Sequence, residues 1–449
     1  MTGEPDDRNK EKYAAARRIV RRLQEAGHEA YFVGGAVRDF LRGVTPGDYD
    51  IATGALPDEV AALFDRTVNV GARFGVMMVV AGGFSFEVAT FRSDDAYEDG
   101  RRPSRVHYAS AREDALRRDF TINGLFQDPE TGAMLDYVGG RADLARKIIR
   151  AIGDPAVRFR EDYLRLLRAV RLAANLDFAL DPETRRAVGA AAENIRRVSA
   201  ERIAEELQKI LVRGGARRGF ELLSETGLLA FLLPEVEHMR GVAQPPRFHP
   251  EGDVWEHTMR MLEILSSETA PRTNPALAWA VLLHDVGKPV SKTEDDRGIH
   301  FYGHVQTGAA IAEDLMRRLR FPNAQRETVV RLIREHMAFM NVTKMRPARL
   351  KRFLRMPDFD LHMQLHRLDC LACHGMLDYF DFCREQLQTL EREALHPPRL
   401  LTGDDLLAMG YAPGKQIGEI LRALEDRQLE GGISNREDAA AFVQARWAR

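Results

Sequence analysis

Residues 13–27 set Ala, Ile, Val and Leu at helical intervals among Arg and Glu, which predicts an amphipathic helix. Ala30-Tyr31-Phe32-Val33 is an unbroken apolar run ending at Gly34-Gly35, the pattern of a buried strand, and a helix start follows at Ala36-Val37-Arg38. Gly47-Asp48-Tyr49-Asp50-Ile51-Ala52-Thr53 alternates and predicts a strand over 47–53. Val76–Val80 and Phe84–Phe91 predict two more strands joined at Gly82-Gly83. The first ~140 residues are therefore mixed α/β. From Asp143 onward helical periodicity takes over and strand signal almost vanishes.

Breaks rich in Pro and Gly divide the helical part at 241–250 and at His396-Pro397-Pro398. The expected organisation is an N-terminal helix (1–28), an α/β head (29–145), a helical neck and body (146–240), a second helical domain (250–390) and a helical tail (396–449). Turns are expected in that tail at Gly410–Gly414 and Gly431-Gly432, and no internal repeat is visible.

Composition narrows the class. Of 449 residues 45% are hydrophobic and 29% charged, which excludes a mostly disordered chain. No run approaches the ~18 apolar residues of a membrane helix, and the polar start lacks a signal-peptide core, so a cytoplasmic protein without a membrane partner is expected. The totals of 65 Lys+Arg and 67 Asp+Glu hide a local excess: residues 141–218 hold 18 basic and 11 acidic side chains, a net +7. Cys370, Cys373 and Cys383 are too few and too close for a disulfide framework. With His374 they lack the second ligand pair of a zinc site, so reduced helix cysteines are expected.

Asp48 and Asp50, two apart on a predicted strand, would face the same way and suit a pair of divalent ions of the kind that assist phosphoryl transfer. Gly34-Gly35, between a strand and a helix, would let backbone N–H groups approach a phosphate, and Arg38 one turn on would reach it. Glu87 on its predicted strand is either at a sheet edge or a third carboxylate aimed at the metals.

Gly34-Gly35-Ala36-Val37-Arg38-Asp39 followed by Asp48-Tyr49-Asp50-Ile51-Ala52-Thr53 resembles the head-domain signature of the class II tRNA nucleotidyltransferase and bacterial poly(A) polymerase family. Two further segments resemble its motifs in order: Arg117-Arg118-Asp119-Phe120-Thr121-Ile122-Asn123, and Glu161-Asp162-Tyr163-Leu164-Arg165-Leu166-Leu167-Arg168. The resemblance spans about 30–235. It implies a nucleotidyltransferase head similar to DNA polymerase beta, with all-α domains behind it. It also implies Mg²⁺ on Asp48 and Asp50, and Arg118, Asp119 and Asn123 on the nucleotide's sugar and phosphates. Asp162 and Arg165 would lie on the incoming base, supported by Arg168. The spacing of Asp162, Arg165 and Arg168 also predicts one helix stripe. Residues 91–103 resemble the family's flexible head loop, and 410–418 resemble a C-terminal segment in which Lys415 replaces Pro.

A second set of residues is separate. His257 falls early in a predicted helix, and His284-Asp285 closes the apolar run Leu-Ala-Trp-Ala-Val-Leu-Leu, where a buried charged pair is costly unless something coordinates it. His304 starts another helix, His336 follows one, and Asp369 lies further on. Mixed imidazole and carboxylate donors suit Mn, Fe, Ni or Mg better than a structural zinc. Over about 253–375 this ordered set resembles the HD superfamily of metal-dependent phosphohydrolases. The resemblance implies His257, His284, Asp285 and Asp369 as ligands, His304 and His336 for a second metal or for phosphate, and Lys288 paired with phosphate or carboxylate. Phe248 and Trp255 are expected to be packing residues.

The implied function is addition of CCA to tRNA 3' ends from CTP and ATP, with tRNA as partner, DNA not expected, and phosphohydrolase chemistry at the second site. Two other readings stay open on sequence: A-only or poly(A) addition, and an HD phosphohydrolase whose head only binds RNA.

Overall fold

The computed structural model describes residues 7–71, 75–94, 106–390 and 397–447. Residues 95–103 of the expected head loop lie outside them. The chain forms two units: one runs to Glu237 and includes Ala270–Arg272, and the other holds His238–Thr269 and the chain from Thr273.

In the first unit α1 (Asp7–Glu25) starts six residues before the predicted helix and buries one apolar stripe, Ala15, Ala16, Ile19, Val20 and Leu23. Then come β1 (Ala30–Val33), α2 (Gly35–Leu41), β2 (Asp50–Thr53), α3 (Pro57–Leu63), β3 (Thr67–Gly71), β4 (Val76–Ala81) and β5 (Phe84–Thr90). Next follow β6 (Arg92–Asp94), β7 (Val106–Tyr108), α4 (Ala111–Leu116), β8 (Leu125–Gln127) and β9 (Met134–Asp136). Seven strands form one sheet in the order β3-β4-β5-β2-β1-β8-β9. Side chains alternate across it. Phe32, Ile51, Phe86 and Val88 pack under α1, whereas Val33, Ala52, Phe91 and Phe126 pack on the opposite face with Ala111 and Ala115 of α4. This opposite face carries the chemistry.

The strand predicted over 47–53 begins only at Asp50. Residues 46–49 are engaged by α1 instead. Asn9 donates to Pro46 O (2.9 Å) and accepts from the Tyr49 hydroxyl (2.8 Å), and Lys12 reaches Gly47 O (2.6 Å) and Asp48 Oδ1 (2.7 Å). Asp48 therefore precedes the strand.

The neck comprises α5 (Gly140–Ala145), β10 (Ile148–Ile149), α6 (Pro155–Glu161), α7 (Leu164–Leu176), β11 (Ala179–Leu180) and α8 (Pro182–Ala191). It continues through α9 (Ala200–Val212), α10 (Ala216–Glu225), α11 (Leu228–Leu232) and α12 (Pro234–Glu237). The parallel pair β10–β11 is strand structure that helical periodicity did not announce. Gly215 and Gly219 let α10 close in: a Cβ on Gly215 would stand 2.3 Å from Ala174 O, and one on Gly219 2.3 Å from the Ile210 side chain.

The second unit holds α13 (Val254–Thr269), α14 (Pro275–Leu283), α15 (Lys288–Ser291), the hairpin β12 (Thr293–Asp295) and β13 (Gly298–His300), α16 (His304–Arg318) and α17 (Asn323–Glu335). After these come α18 (Pro347–Leu354), α19 (Phe359–Ala372), α20 (Asp378–Thr389), α21 (Gly403–Ala408), α22 (Lys415–Leu429) and α23 (Arg436–Arg446). Asn274 caps α14 and Pro275 opens it, and every residue from Leu277 to Leu283 is buried, as a helix apolar on all sides must be. Among the described residues no helix is long and apolar enough to cross a membrane.

Candidate active sites

One cleft of about 900 Å³ in the first unit collects Gly34, Gly35, Arg38, Asp48, Asp50, Arg118, Asp119, Asn123, Asp162, Arg165 and Arg168. These are all the residues expected at the nucleotide except Glu87. Glu87 stands on β5, which lies between β4 and β2, so the sheet-edge alternative does not apply. The β2–β5 register pairs Ile51 with Val88, which sets Asp50 beside Glu87 on one face. The Asp50 carboxyl is pushed up, first by desolvation and then by the charge of Glu87, with Asp48 adding to the rise and Arg118 opposing it. Asp48, Asp50 and Glu87 do not bring one carboxylate oxygen each within 4.8 Å of one another.

Gly34 has φ 66°, and a Cβ there would sit 3.4 Å from Arg118 Nη1 and 3.9 Å from Asp50. Glycine thus leaves the approach to Arg118 open. Asp114, buried and not foreseen, accepts from both Arg117 and Arg118, and aims the latter. Arg38 binds Asp39 and donates to Asn123 Oδ1 at 3.0 Å. Asp119 accepts from Phe120 N (2.8 Å), Asn123 Nδ2 (3.2 Å) and Arg168 Nε (2.8 Å). Burial alone would raise its carboxyl, but Arg168, Arg165 and these hydrogen bonds bring it down to about 2.

The single helix stripe expected for Asp162, Arg165 and Arg168 is not observed. Asp162 ends α6 in extended conformation, and α7 starts two residues later. Nor do the side chains of Asp162 and Arg165 pair with each other: that of Asp162 binds Arg202, and that of Arg165 binds Glu161. A helix break at Asp162 frees its carboxylate to accept from Leu164 N at 3.0 Å, which a continuous helix would forbid.

The second unit gathers His257, His284, His304, His336, Asp285 and Asp369. His257, His284 and Asp369 can place one donor atom each within 4.8 Å of one another, and so can Asp285, His304 and His336. Asp285 spans the two groups, its Oδ2 3.2 Å from His284 Nε2 and its Oδ1 3.8 Å from His304 Nε2. Gly287 makes this approach possible: a Cβ there would be 2.2 Å from His304 O and 2.5 Å from Gly308 N.

All four imidazoles use Nδ1 on an oxygen: Glu251 Oε1 (2.6 Å), Val281 O (2.9 Å), Phe301 O (2.7 Å) and Ile333 O (2.6 Å). That fixes ring orientation and leaves Nε2 as the free donor atom. Nε2 of His257, His284 and His304 is buried without a hydrogen bond, a costly state that a metal ion would relieve. Burial lowers His336 to about 4, keeping it neutral and able to ligate. At His257 burial is outweighed by the Asp369 carboxylate, 3.1 Å from Nε2, and by the Glu251 hydrogen bond, which raise it to about 9. Lys288 does pair with carboxylate, at 2.7 Å from Asp285 Oδ2, and also donates to Gln244 at 2.6 Å.

His249, Glu251 and Gln244 were not foreseen. His249 and Glu251 lie shortly before His257 in the chain, but burial of Glu251 between two imidazoles is a tertiary fact. Trp255 packs as expected, whereas Phe248 is 57% exposed: it belongs to a surface loop rather than to the core. The three cysteines are free, and burial pushes each thiol up to about 12. Lys415 is exposed at the first position of α22.

Residues 30–150 match the model of the poly(A) polymerase head domain, 177–239 that of the probable RNA- and SrmB-binding site of polymerase A, and 254–371 that of the HD domain. The chain thus carries a poly(A) polymerase head domain and an HD domain. The CCA-adding enzyme of Geobacillus sp. (strain WCH70) is 47% identical over 224 residues, 50% of this chain and 55% of the relative. That of Bacillus licheniformis is 41% identical over 257 residues, 56% of this chain and 64% of the relative. The chain thus spans about half the length of the curated relatives it matches. The crystal structure of the Bacillus stearothermophilus CCA-adding enzyme in complex with CTP superposes with TM-score 0.74 at 28% identity, covering 97% of each chain. The Thermotoga maritima CCA-adding enzyme complexed with tRNA shares the fold, with TM-score 0.58 at 20% identity over 96% of this chain and 94% of that one. The fold class expected from sequence, a nucleotidyltransferase head followed by helical domains, is the one found.

Proposed function

We propose that this chain adds C, C and A to tRNA 3' ends from CTP and ATP, in the cytoplasm, where that substrate is found. The convergence of paired acids, a glycine turn and an acceptor–donor pair on one cleft carries this reading. Asp48 and Asp50, with Glu87 beside them, hold Mg²⁺. Bound Mg²⁺ lowers the pKa of the attacking hydroxyl and neutralises the leaving pyrophosphate. The Gly34-Gly35 backbone admits the triphosphate closely, Arg118 meets its charge, and Asp119 and Asn123 hold the sugar side. Asp162 accepts from the exocyclic amine that cytosine and adenine share, and Arg165 donates to the adjacent ring nitrogen. Uracil and guanine present the reverse pattern and are refused.

The second site holds divalent metal, Mn, Ni, Fe or Mg, through His257, His284, Asp285 and Asp369, with His304 and His336 for a second ion or a phosphate. Hydrolysis of phosphomonoesters or 2',3'-cyclic phosphates is its expected chemistry, and Lys288 faces the phosphate charge.

The test uses tRNA lacking its 3' end, Mg²⁺, and CTP, ATP or both. Sequential C, C, A incorporation supports the proposal. Incorporation of A alone would replace it with an A-adding enzyme, and none would leave the phosphohydrolase reading. Asp48→Ala with Asp50→Ala is expected to abolish incorporation.

A further inference from the structure

Asp162 is held by a residue that no motif singled out. Its Oδ1 accepts from Leu164 N at 3.0 Å and Arg202 Nη1 at 3.2 Å, and its Oδ2 from Arg202 Nη2 at 2.6 Å. Arg202 stands in the first turn of α9, 40 positions away, and lines the same cleft. Arg165 is anchored separately, by Glu161, Arg158 O at 2.9 Å and Arg117 O at 3.3 Å. Acceptor and donor of the base-reading pair thus owe their positions to different helices.

We propose that Arg202 is a specificity-positioning residue, whose two-point grip on Asp162 fixes which base edge the cleft accepts. The inference rests on the proposed use of CTP and ATP. A carboxylate offers about four acceptor positions. Among the described residues three are taken, two on Oδ1 and one on Oδ2. One remains, on Oδ2, enough for one N–H of an exocyclic amine. Because Arg202 binds both oxygens, the carboxylate plane cannot turn, and the remaining position keeps one bearing relative to Arg165. Without the grip the carboxylate rotates about its terminal torsion, which is broad. The acceptor then no longer meets the amine in register with the Arg165 donor, so C and A lose their advantage over U and G. A lysine supplies the charge as a single point and cannot hold both oxygens in plane.

The test compares full-length wild type, Arg202→Gln and Arg202→Lys on tRNA lacking its 3' end, with kcat/KM measured for CTP, ATP, UTP and GTP. Arg202→Gln is expected to lose about ten-fold or more of the preference for CTP over UTP, mainly through a raised KM for CTP and ATP. Arg202→Lys is expected to fall between the two. Either variant discriminating as wild type does would overturn the proposal, and so would an equal loss for all four nucleotides through kcat, the mark of a merely structural residue. If Arg202→Gln fails to fold, the Arg202→Lys discrimination decides alone. Failure of wild type to incorporate C or A is a different result: it removes the transferase reading and this inference with it.

Discussion

Asp119 shows how one ion pair sets both geometry and pH response in the cleft. Its carboxyl lies at about 2 against an ordinary 3.8. A folded value below the unfolded one stabilises the native state above the unfolded pKa. The gain, about 2 kcal/mol, is lost as pH falls from about 4 towards 2. Arg168 is the main counter-charge, so Arg168→Met leaves a buried carboxylate with Arg165 as its remaining counter-charge. A loss of about 3 kcal/mol or more at pH 7 is expected, read from urea melts. The variant's pH dependence should also flatten, since burial raises the carboxyl while only Arg165 and the Asn123 hydrogen bond remain to lower it. Its stability should then gain less than wild type as pH rises from about 2 to about 4. A variant curve parallel to that of wild type would refute this account. The sequence made Arg168 a support for the base-reading pair. The residue it actually steadies, Asp119, is 49 positions away, and no local spacing carries that information.

At the scale of elements, the His-Asp turn and the start of α16 are joined by two glycines whose requirements differ. A Cβ on Gly287 would collide with the α16 backbone at 2.2 Å, whereas one on Gly308 would meet Gly287 N at 3.3 Å. Gly287→Ala is therefore expected to push α16 away from Asp285, costing about 2 kcal/mol or more and abolishing Mn²⁺ or Ni²⁺ binding by titration calorimetry. Gly308→Ala should cost less than about 1 kcal/mol and keep the metal. Equal effects would mean that this close approach does not build the site. Such elements also mark what the sequence could disclose. The unbroken apolar run Ala30–Val33 foretold a buried strand, and the seven apolar residues before His284 foretold a buried helix. The position of Asp48 was hidden, because α1 engages residues 46–49 through Asn9 and Lys12 in place of a strand neighbour. The break at Asp162 was hidden as well: helical spacing continues through it, and only the long-range pull of Arg202 and the cap on Leu164 set it apart.

For the whole molecule, a near-neutral total conceals a charge distribution with consequences. If the two units carry the separate chemistry proposed, Asp285→Ala should remove metal binding in the second unit and leave nucleotide incorporation intact. Asp48→Ala with Asp50→Ala should do the reverse, and loss of both functions in either variant would contradict two independent sites. The net +7 over residues 141–218 belongs to the first unit alone. If that segment neutralises about four phosphates of a tRNA, affinity should fall with a log–log salt slope of about −3.6, or roughly 150-fold between 50 and 200 mM salt. CTP, a short anion without a condensed counterion atmosphere, should weaken far less over the same range. Arg141, Arg146 and Lys147 are exposed on and just after α5. Replacing all three with Ala should flatten the tRNA slope by up to about 3 and leave CTP binding unchanged. A slope unmoved by the triple substitution would place the RNA contacts elsewhere on the neck. A slope near zero in wild type would mean that the basic excess serves helix solubility and not RNA.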